Sequence, residues 1–364
     1  MFHIIRFWLD MGVDGFRVDA IPYLYEREGT NCESLPETHQ FLHKMRQMID
    51  VEYPECVLIA EANQTPEELL PYFGTVSEPE FHMCFHFPIM TSLYQSLMAG
   101  DKTAAEQILN RTPALPAGRQ WLTFLRNHDE LTLEIVTPEV RQWMWERYAP
   151  EPRMRQNAGI RRRLLPLLEY DMQKWFLLNA LFLSLPGTPI IYYGDEIGMG
   201  DNIWLPDRHG CRTPMQWDGT KNGGFSTANE TYFPVNNEYP QTNVAAQEND
   251  PNSYLNQMRF LLKTRQAQPA LRSGKFEIIE TGADCSSETA VFAYVRYLKE
   301  KRVLCLFNLS DKVQTLPWSF LGSMQPIQDL LHPNDLVEED VKVCDNEPHL
   351  LELAPHAAHW FVKT

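Results

Sequence analysis

Cysteine is scarce and unpatterned in this chain: seven residues, at 32, 56, 84, 211, 285, 305 and 344, are odd in number, far apart and include no C-x-x-C pair. That pattern excludes a disulfide framework and points to reduced thiols in a cytoplasm. Long hydrophobic runs are also missing. The longest, Trp175–Leu185, contains Asn179 and Ser184 and is far shorter than the ~20 residues of a membrane span. Positive charge is in deficit, with 32 Lys and Arg against 48 Asp and Glu and a net charge of −16. This disfavours nucleic acid and an anionic membrane as partners and favours a neutral or cationic small ligand; the sequence leaves a homo-oligomer open. Neither GxGxxG nor GxxxxGK[ST] occurs, which removes the usual nucleotide-binding loops. The opening MFHIIRFWLD lacks a basic region followed by an apolar stretch and a small-residue cleavage site. It reads as the end of an amphipathic helix with Ile4, Ile5, Trp8 and Leu9 on one face.

What is present is an alternation. Apolar runs near 13–19, 57–61, 83–87, 121–126 and 190–193 read as strands, separated by helical segments at Thr38–Asp50, Pro66–Phe73, Met90–Met98, Thr103–Leu109, Glu139–Tyr148 and Asp171–Leu185. Strands that are apolar throughout and alternate with helices predict a parallel sheet covered on both faces. With 44% hydrophobic residues over 364 positions, the chain is long enough for one large domain and a smaller one. A Gly-, Asn- and Pro-rich stretch from Ile197 to about Asn252 reads as a long functional loop. After Ser273 the segments FEIIETG, ETAVFAYVRYL, KRVLCLFNLS and HWFVKT predict short antiparallel strands. The expected division is therefore 1–272 for the α/β part and 273–364 for an all-β sandwich.

Acidic residues collect just past the strand ends: Asp19, Glu61, Asp129 beside His128, and Asp195 with Glu196. Function at the carboxyl ends of parallel strands fits a (β/α) barrel or an open doubly wound sheet. In GVDGFRVDAIPY, Arg17 and Asp19 are two apart and so share a face of the strand. Read alone they are a structural ion pair or an ionised nucleophile with its charge partner. Glu61 follows VLIA, an apolar setting that raises a carboxyl pKa as a general acid requires. Two carboxylates pushed in opposite directions are the acid and nucleophile of glycosyl transfer with retention.

Other features have simpler readings. His82, Cys84 and His86 alternate on one strand, but residues four apart are ~13 Å apart there, so one ion cannot take all three. The Arg161–Arg163 run reads as a solvated helix face or a domain contact, Trp143 and Trp145 as packing, and His356 and His359 as surface or core histidines.

GFRVDAIPY, LIAEANQ and FLRNHDE resemble three signature regions of the α-amylase superfamily of retaining α-glucan enzymes. YLYEREGTNCESLPETH, RNHDELTLEIV, GIRRRLLPLL and YYGDEIGMGDNIWLPDRHGCRTPMQWD resemble its branch that isomerises maltose to trehalose by intramolecular glucosyl transfer. The resemblance covers nearly all of residues 1–270. It implies Asp19 as nucleophile, Glu61 as acid/base and Asp129 as stabiliser of the distorted sugar, with Arg17 and His128 as sugar ligands. It also implies a gate of Glu130 with Arg212, no organic cofactor, and a Ca²⁺ site to which Tyr23, Leu24 (by its carbonyl) and Glu26 contribute. An α-glucosidase or α-amylase-type hydrolase shares the same carboxylates. The family closes eight strands in ~250 residues, whereas five are expected here. The expectation is a partial (β/α)8 barrel without the first three strands and the DxxxxNH-type region, and its alternative in function is a catalytically dead fragment or interaction piece.

Overall fold

Gly15 pins the register of the first strand pair in the computed structural model, because a Cβ there would lie 2.1 Å from the Val57 carbonyl oxygen. The structure describes residues 1–281, 289–317, 327–333 and 350–363. The chain falls into two compact units, Met1–Ile89 with Gln107–Thr123, and Met90–Glu106 with Phe124–Thr364.

In the first unit, β1 (Gly15–Val18), β2 (Val57–Ala60), β3 (Met83–Phe85) and β4 (Gln120–Phe124) pair in chain order, all parallel. Pro36 opens the helix Pro36–Glu52 at its first turn, where its missing N–H costs nothing. Its Leu42, Met45 and Ile49 recur at helical spacing and pack with Leu58 and Ala60 of β2, Phe73, Phe81 and Trp121. The first helix, Phe2–Asp10, buries only Ile5 and Leu9. Ile4 and Trp8 are about half exposed: the four residues span about 140° of the helix at 100° per residue, and the Ile5–Leu9 side of that arc is the covered one. β1 is also less buried than its composition predicts. Val13, Phe16 and Val18 are half-buried, and Arg17 and Asp19 are exposed.

The second unit contains the fifth expected strand, at Thr188–Ile190 and half-buried rather than buried over 190–193. Past Ile190 the chain leaves strand geometry, the hydroxyls of Tyr192 and Tyr193 reach other loops, and Gly194 then takes a left-handed turn (φ +85°). Asp171 caps the helix Met172–Ser184 by accepting from the Gln173 and Lys174 N–H groups. No described helix is long and apolar enough to cross a membrane.

The antiparallel part begins at Lys275. Strands Lys275–Ile278, Val291–Leu298, Lys301–Asn308, Ala358–Lys363 and Ile327–Asp329 form one sheet, and Gln314–Pro317 pairs with Leu350–Leu353 in another. Val291, Ala293, Leu304, Leu306, Leu316, Leu353 and Phe361 form their shared core. The architecture is thus a partial (β/α) barrel with five strands and a C-terminal all-β domain.

Buried Arg296 ties this sheet to the helix before it, and buried Arg265 ties the neighbouring helices to one another. Arg296 donates to the carbonyls of Ser184 (2.5 Å), Gly274 (2.9 Å) and Lys275 (3.3 Å), and Arg265 to those of Leu183 and Leu271. Arg296 is 1% exposed, and its substitution removes the donor to one buried carbonyl, that of Ser184, and to two partly buried ones. We expect Arg296→Ala to cost about 3–5 kcal/mol, at the scale of breaking a buried charged group's contacts. Urea unfolding of the chain checks this; a loss under 1 kcal/mol would mean water satisfies the carbonyls.

Candidate active site

Asp19 and Glu61 occupy equivalent positions, one residue past the paired ends Val18 and Ala60 of adjacent parallel strands. Two backbone bonds clamp the strand ends: the Glu61 N–H donates to the Val18 carbonyl and the Ile21 N–H to the Glu61 carbonyl. Between them Ala20 is left-handed (φ 46°, ψ 42°), an uncommon state for a residue with a Cβ. That turn sends the chain down into the Ile21–Tyr23 3₁₀ helix and leaves Asp19 at the rim.

Arg17 touches both carboxylates. Its Nη2 lies 3.3 Å from Asp19 Oδ1 and pairs more closely with Glu61 Oε2. Two oxygens sharing one nitrogen in this way lie within about 6 Å of each other, so both carboxylates border one small volume. The sequence paired Arg17 with Asp19; the structure adds Glu61. The environments of the two carboxylates differ, since the Asp19 side chain is 73% exposed and that of Glu61 15%. A guanidinium favours the ionised form of a carboxylate beside it, and Arg17 stands beside both.

The second unit holds the other constellation. Arg126, buried, donates to the carbonyls of Arg162 (2.8 Å) and Asp129 (2.6 Å) and fixes the RNHDE turn. The Asp129 carboxylate receives Arg212 (2.7 Å) and Arg208 (3.2 Å) on Oδ1 and faces His128 Nε2 (3.2 Å) with Oδ2. Arg212 also donates to the His128 carbonyl at 2.7 Å. Glu130 pairs with Arg208 at 2.6 Å and accepts from Asn157 at 2.7 Å. Burial pushes the Glu130 carboxyl up, and the bonds from Arg208 and Asn157 more than reverse this, leaving it below the usual value. The gate pairing implied for Glu130 and Arg212 is therefore not the one formed here. Arg208 holds Glu130, and Arg212 holds Asp129.

Sequence reading did not single out Arg208. Its signal was present in DRHGCRTPMQW, which carries two arginines four apart, but spacing within an irregular loop does not say which one faces which acid. The Arg161–Arg163 run supplies the loop's anchors instead of a solvated face. Arg161 donates to the carbonyls of Ile203, Leu205 and Asp207, and Arg162 pairs with Asp201 at 2.8 Å. Arg163 is fully buried, stacks on Tyr192 and Tyr193 and lies 3.4 Å from Asp195. Burial pushes the Asp195 carboxyl up to about 7 against the pull of Arg163 and Arg126. The Tyr192 and Tyr193 hydroxyls donate to the carbonyls of Cys211 (2.9 Å) and Thr213 (2.7 Å), on either side of Arg212. Trp143 and Trp145 lie under Arg147 and Arg155 as cation–π partners.

Tyr23, Leu24 and Glu26 are exposed beside the Ile21–Tyr23 turn. They offer one carboxylate where calcium takes six to eight oxygens, so alone they fit only part of a calcium shell. His82 accepts from the Leu58 N–H, while His86 bonds Thr112. The described cysteines 32, 56, 84, 211 and 305 are free thiols; Cys285 and Cys344 lie outside the described residues.

The α-amylase catalytic-domain family model matches residues 1–274. The chain is 45% identical over 380 residues to "trehalose synthase/amylase TreS" of Mycobacterium tuberculosis, covering 100% of this chain and 61% of that protein. Trehalose synthase of Pimelobacter sp. is also 45% identical, with 99% of this chain and 64% of that protein covered. The chain thus spans about three fifths of the length of the curated relatives it matches. Among solved structures, α-amylase from H. orenii superposes with a TM-score of 0.71 at 22% identity, over 100% of this chain and 63% of that one.

Proposed function

The chain belongs to the α-amylase family, and from that premise we propose that it carries the machinery of a maltose α-D-glucosyltransferase that makes trehalose by double displacement. The observation that supports this most is the pair Asp19 and Glu61, at matched strand ends and joined by Arg17. In this reading an Asp19 oxygen attacks the anomeric carbon as the glycosidic C–O bond breaks, and Glu61 gives its proton to the leaving glucose oxygen. The released glucose stays bound, turns, and offers its own anomeric hydroxyl. Glu61 takes that hydroxyl's proton, the new C–O bond forms and Asp19 leaves. Two inversions give retention. By resemblance Asp129 stabilises the distorted sugar, and Arg17 and His128 bind it. The 45% identity to a trehalose synthase and to a trehalose synthase/amylase supports the isomerase, and the second of these names carries the hydrolase reading as well. The proposal places the chain in the cytoplasm with a small sugar as its partner, alone or as a homo-oligomer.

A second reading, α-glucosidase or α-amylase-type hydrolysis, draws on the 73% exposure of Asp19, because a glycosyl-enzyme open to water is hydrolysed. A proton NMR time course on maltose separates the two. Trehalose as major product supports the isomerase, glucose alone overturns it, and no turnover assigns this chain to the catalytically inactive class.

We propose that Arg208, paired with Glu130, belongs to the gate that the resemblance implies for Glu130 and Arg212. Arg208→Ala is expected to raise the glucose-to-trehalose ratio about tenfold, which is about 1.4 kcal/mol between the competing steps. An unchanged ratio removes the pair from water exclusion.

A further inference from the structure

Three side chains with no part in the proposed reaction converge in the C-terminal sheet. Asp329 ends the strand Ile327–Asp329, His332 lies in the turn after it, and His359 is on the last strand, Ala358–Lys363. Asp329 is opposite Phe361 in the antiparallel register, so His359, two residues from Phe361, is on the same face of the sheet. The ligand atoms of the three residues lie within 4.8 Å of one another, the only such group of three His, Cys, Asp or Glu among the described residues.

The carboxylate is divided between two tasks. Oδ1 accepts the backbone N–H groups of Leu331 (3.0 Å) and Trp360 (3.2 Å). Oδ2 is presented to Nδ1 of His332 at 2.7 Å and Nδ1 of His359 at 2.6 Å. The His359 ring is stacked on Phe361 at an interplanar angle of 4°, which fixes its direction. Asp329 is 3% exposed. Burial pushes its carboxyl up, and the two histidines pull it down to about 2, so it stays ionised across the working range. Two imidazole nitrogens and one carboxylate oxygen, with the carboxylate oriented by backbone donors, make the three-ligand set of a mononuclear transition-metal centre.

We propose that Asp329, His332 and His359 bind a divalent transition metal of the zinc class, with water completing the coordination, and that the ion ties the last strand to the turn after Ile327–Asp329. Binding requires both Nδ1 atoms to give up their hydrogens. Each histidine either loses a proton or shifts to the Nε2–H tautomer. The His332 side chain, 36% exposed, gives the ion access from solvent.

The test uses the full chain without an affinity tag, stripped with chelator and titrated with Zn²⁺ and Co²⁺. Expected are uptake of about one equivalent, a visible Co²⁺ absorption band and a higher melting temperature with metal. His332→Ala and His359→Ala should each lower affinity by at least about 100-fold, beyond the upper range for outer-shell changes, while circular dichroism without metal stays native. Wild-type uptake that His332→Ala leaves unchanged overturns the site, as does a folded wild type with no cobalt band. That last readout needs no variant, so the proposal stays testable if His359→Ala does not fold.

Discussion

Asp19→Ala is expected to lower turnover of an activated α-glucosyl donor by about 10⁴-fold or more, the scale at which removal of a covalent nucleophile is felt. Rate loss alone does not separate nucleophile from acid/base, but stereochemistry does. With Asp19 gone, azide enters the space it leaves and attacks the anomeric carbon once, so the glucosyl azide is inverted. In Glu61→Ala the activated leaving group departs without a proton, Asp19 still forms the glycosyl-enzyme, and azide attacks that, giving retention. Chiral assignment of the two azides by NMR decides it. Retained product from the Asp19 variant would falsify its role, and inverted product from the Glu61 variant would exchange the two assignments. Arg17 contacts both carboxylates, so Arg17→Ala should weaken both steps and rescue with neither stereochemistry alone.

The second large effect is at Asp129. Asp129→Asn keeps the shape but removes the charge that Arg212 and Arg208 meet at 2.7 and 3.2 Å. If the carboxylate binds sugar hydroxyls more tightly in the transition state, the lost several kcal/mol appear as a 10²–10³-fold fall in kcat with KM nearly constant. Arg212→Lys keeps a charge but loses the two-point grip on Asp129 and the His128 carbonyl, and is expected to lose about tenfold. A fall in kcat/KM carried by KM alone would make Asp129 a ground-state contact.

Much of this was legible because strand ends are legible. Val57–Ala60 is apolar and stops at Glu61, and the observed strand has those same limits; the residue after such a strand is placed by period and pairing alone. Local rules failed where the chain has no period. Between Ile197 and Asn252 nothing in the spacing said that Arg208 meets Glu130 while Arg212 meets Asp129. The same holds for Arg161–Arg163, whose charges read as solvated until three loop carbonyls and two aspartates were seen to receive them.

Residue order therefore determined the parallel β/α pattern, the antiparallel C-terminal strands and the candidate carboxylates, since each depends on hydrophobic period and on the residue type just past a strand's end. Only the tertiary structure decided that Arg17 serves both Asp19 and Glu61, that β1 is half-buried, and that His359, read as an ordinary histidine, shares one carboxylate oxygen with His332. Those outcomes depend on which side chains distant segments bring within about 3 Å, and a directional contact of that length is set by packing and register.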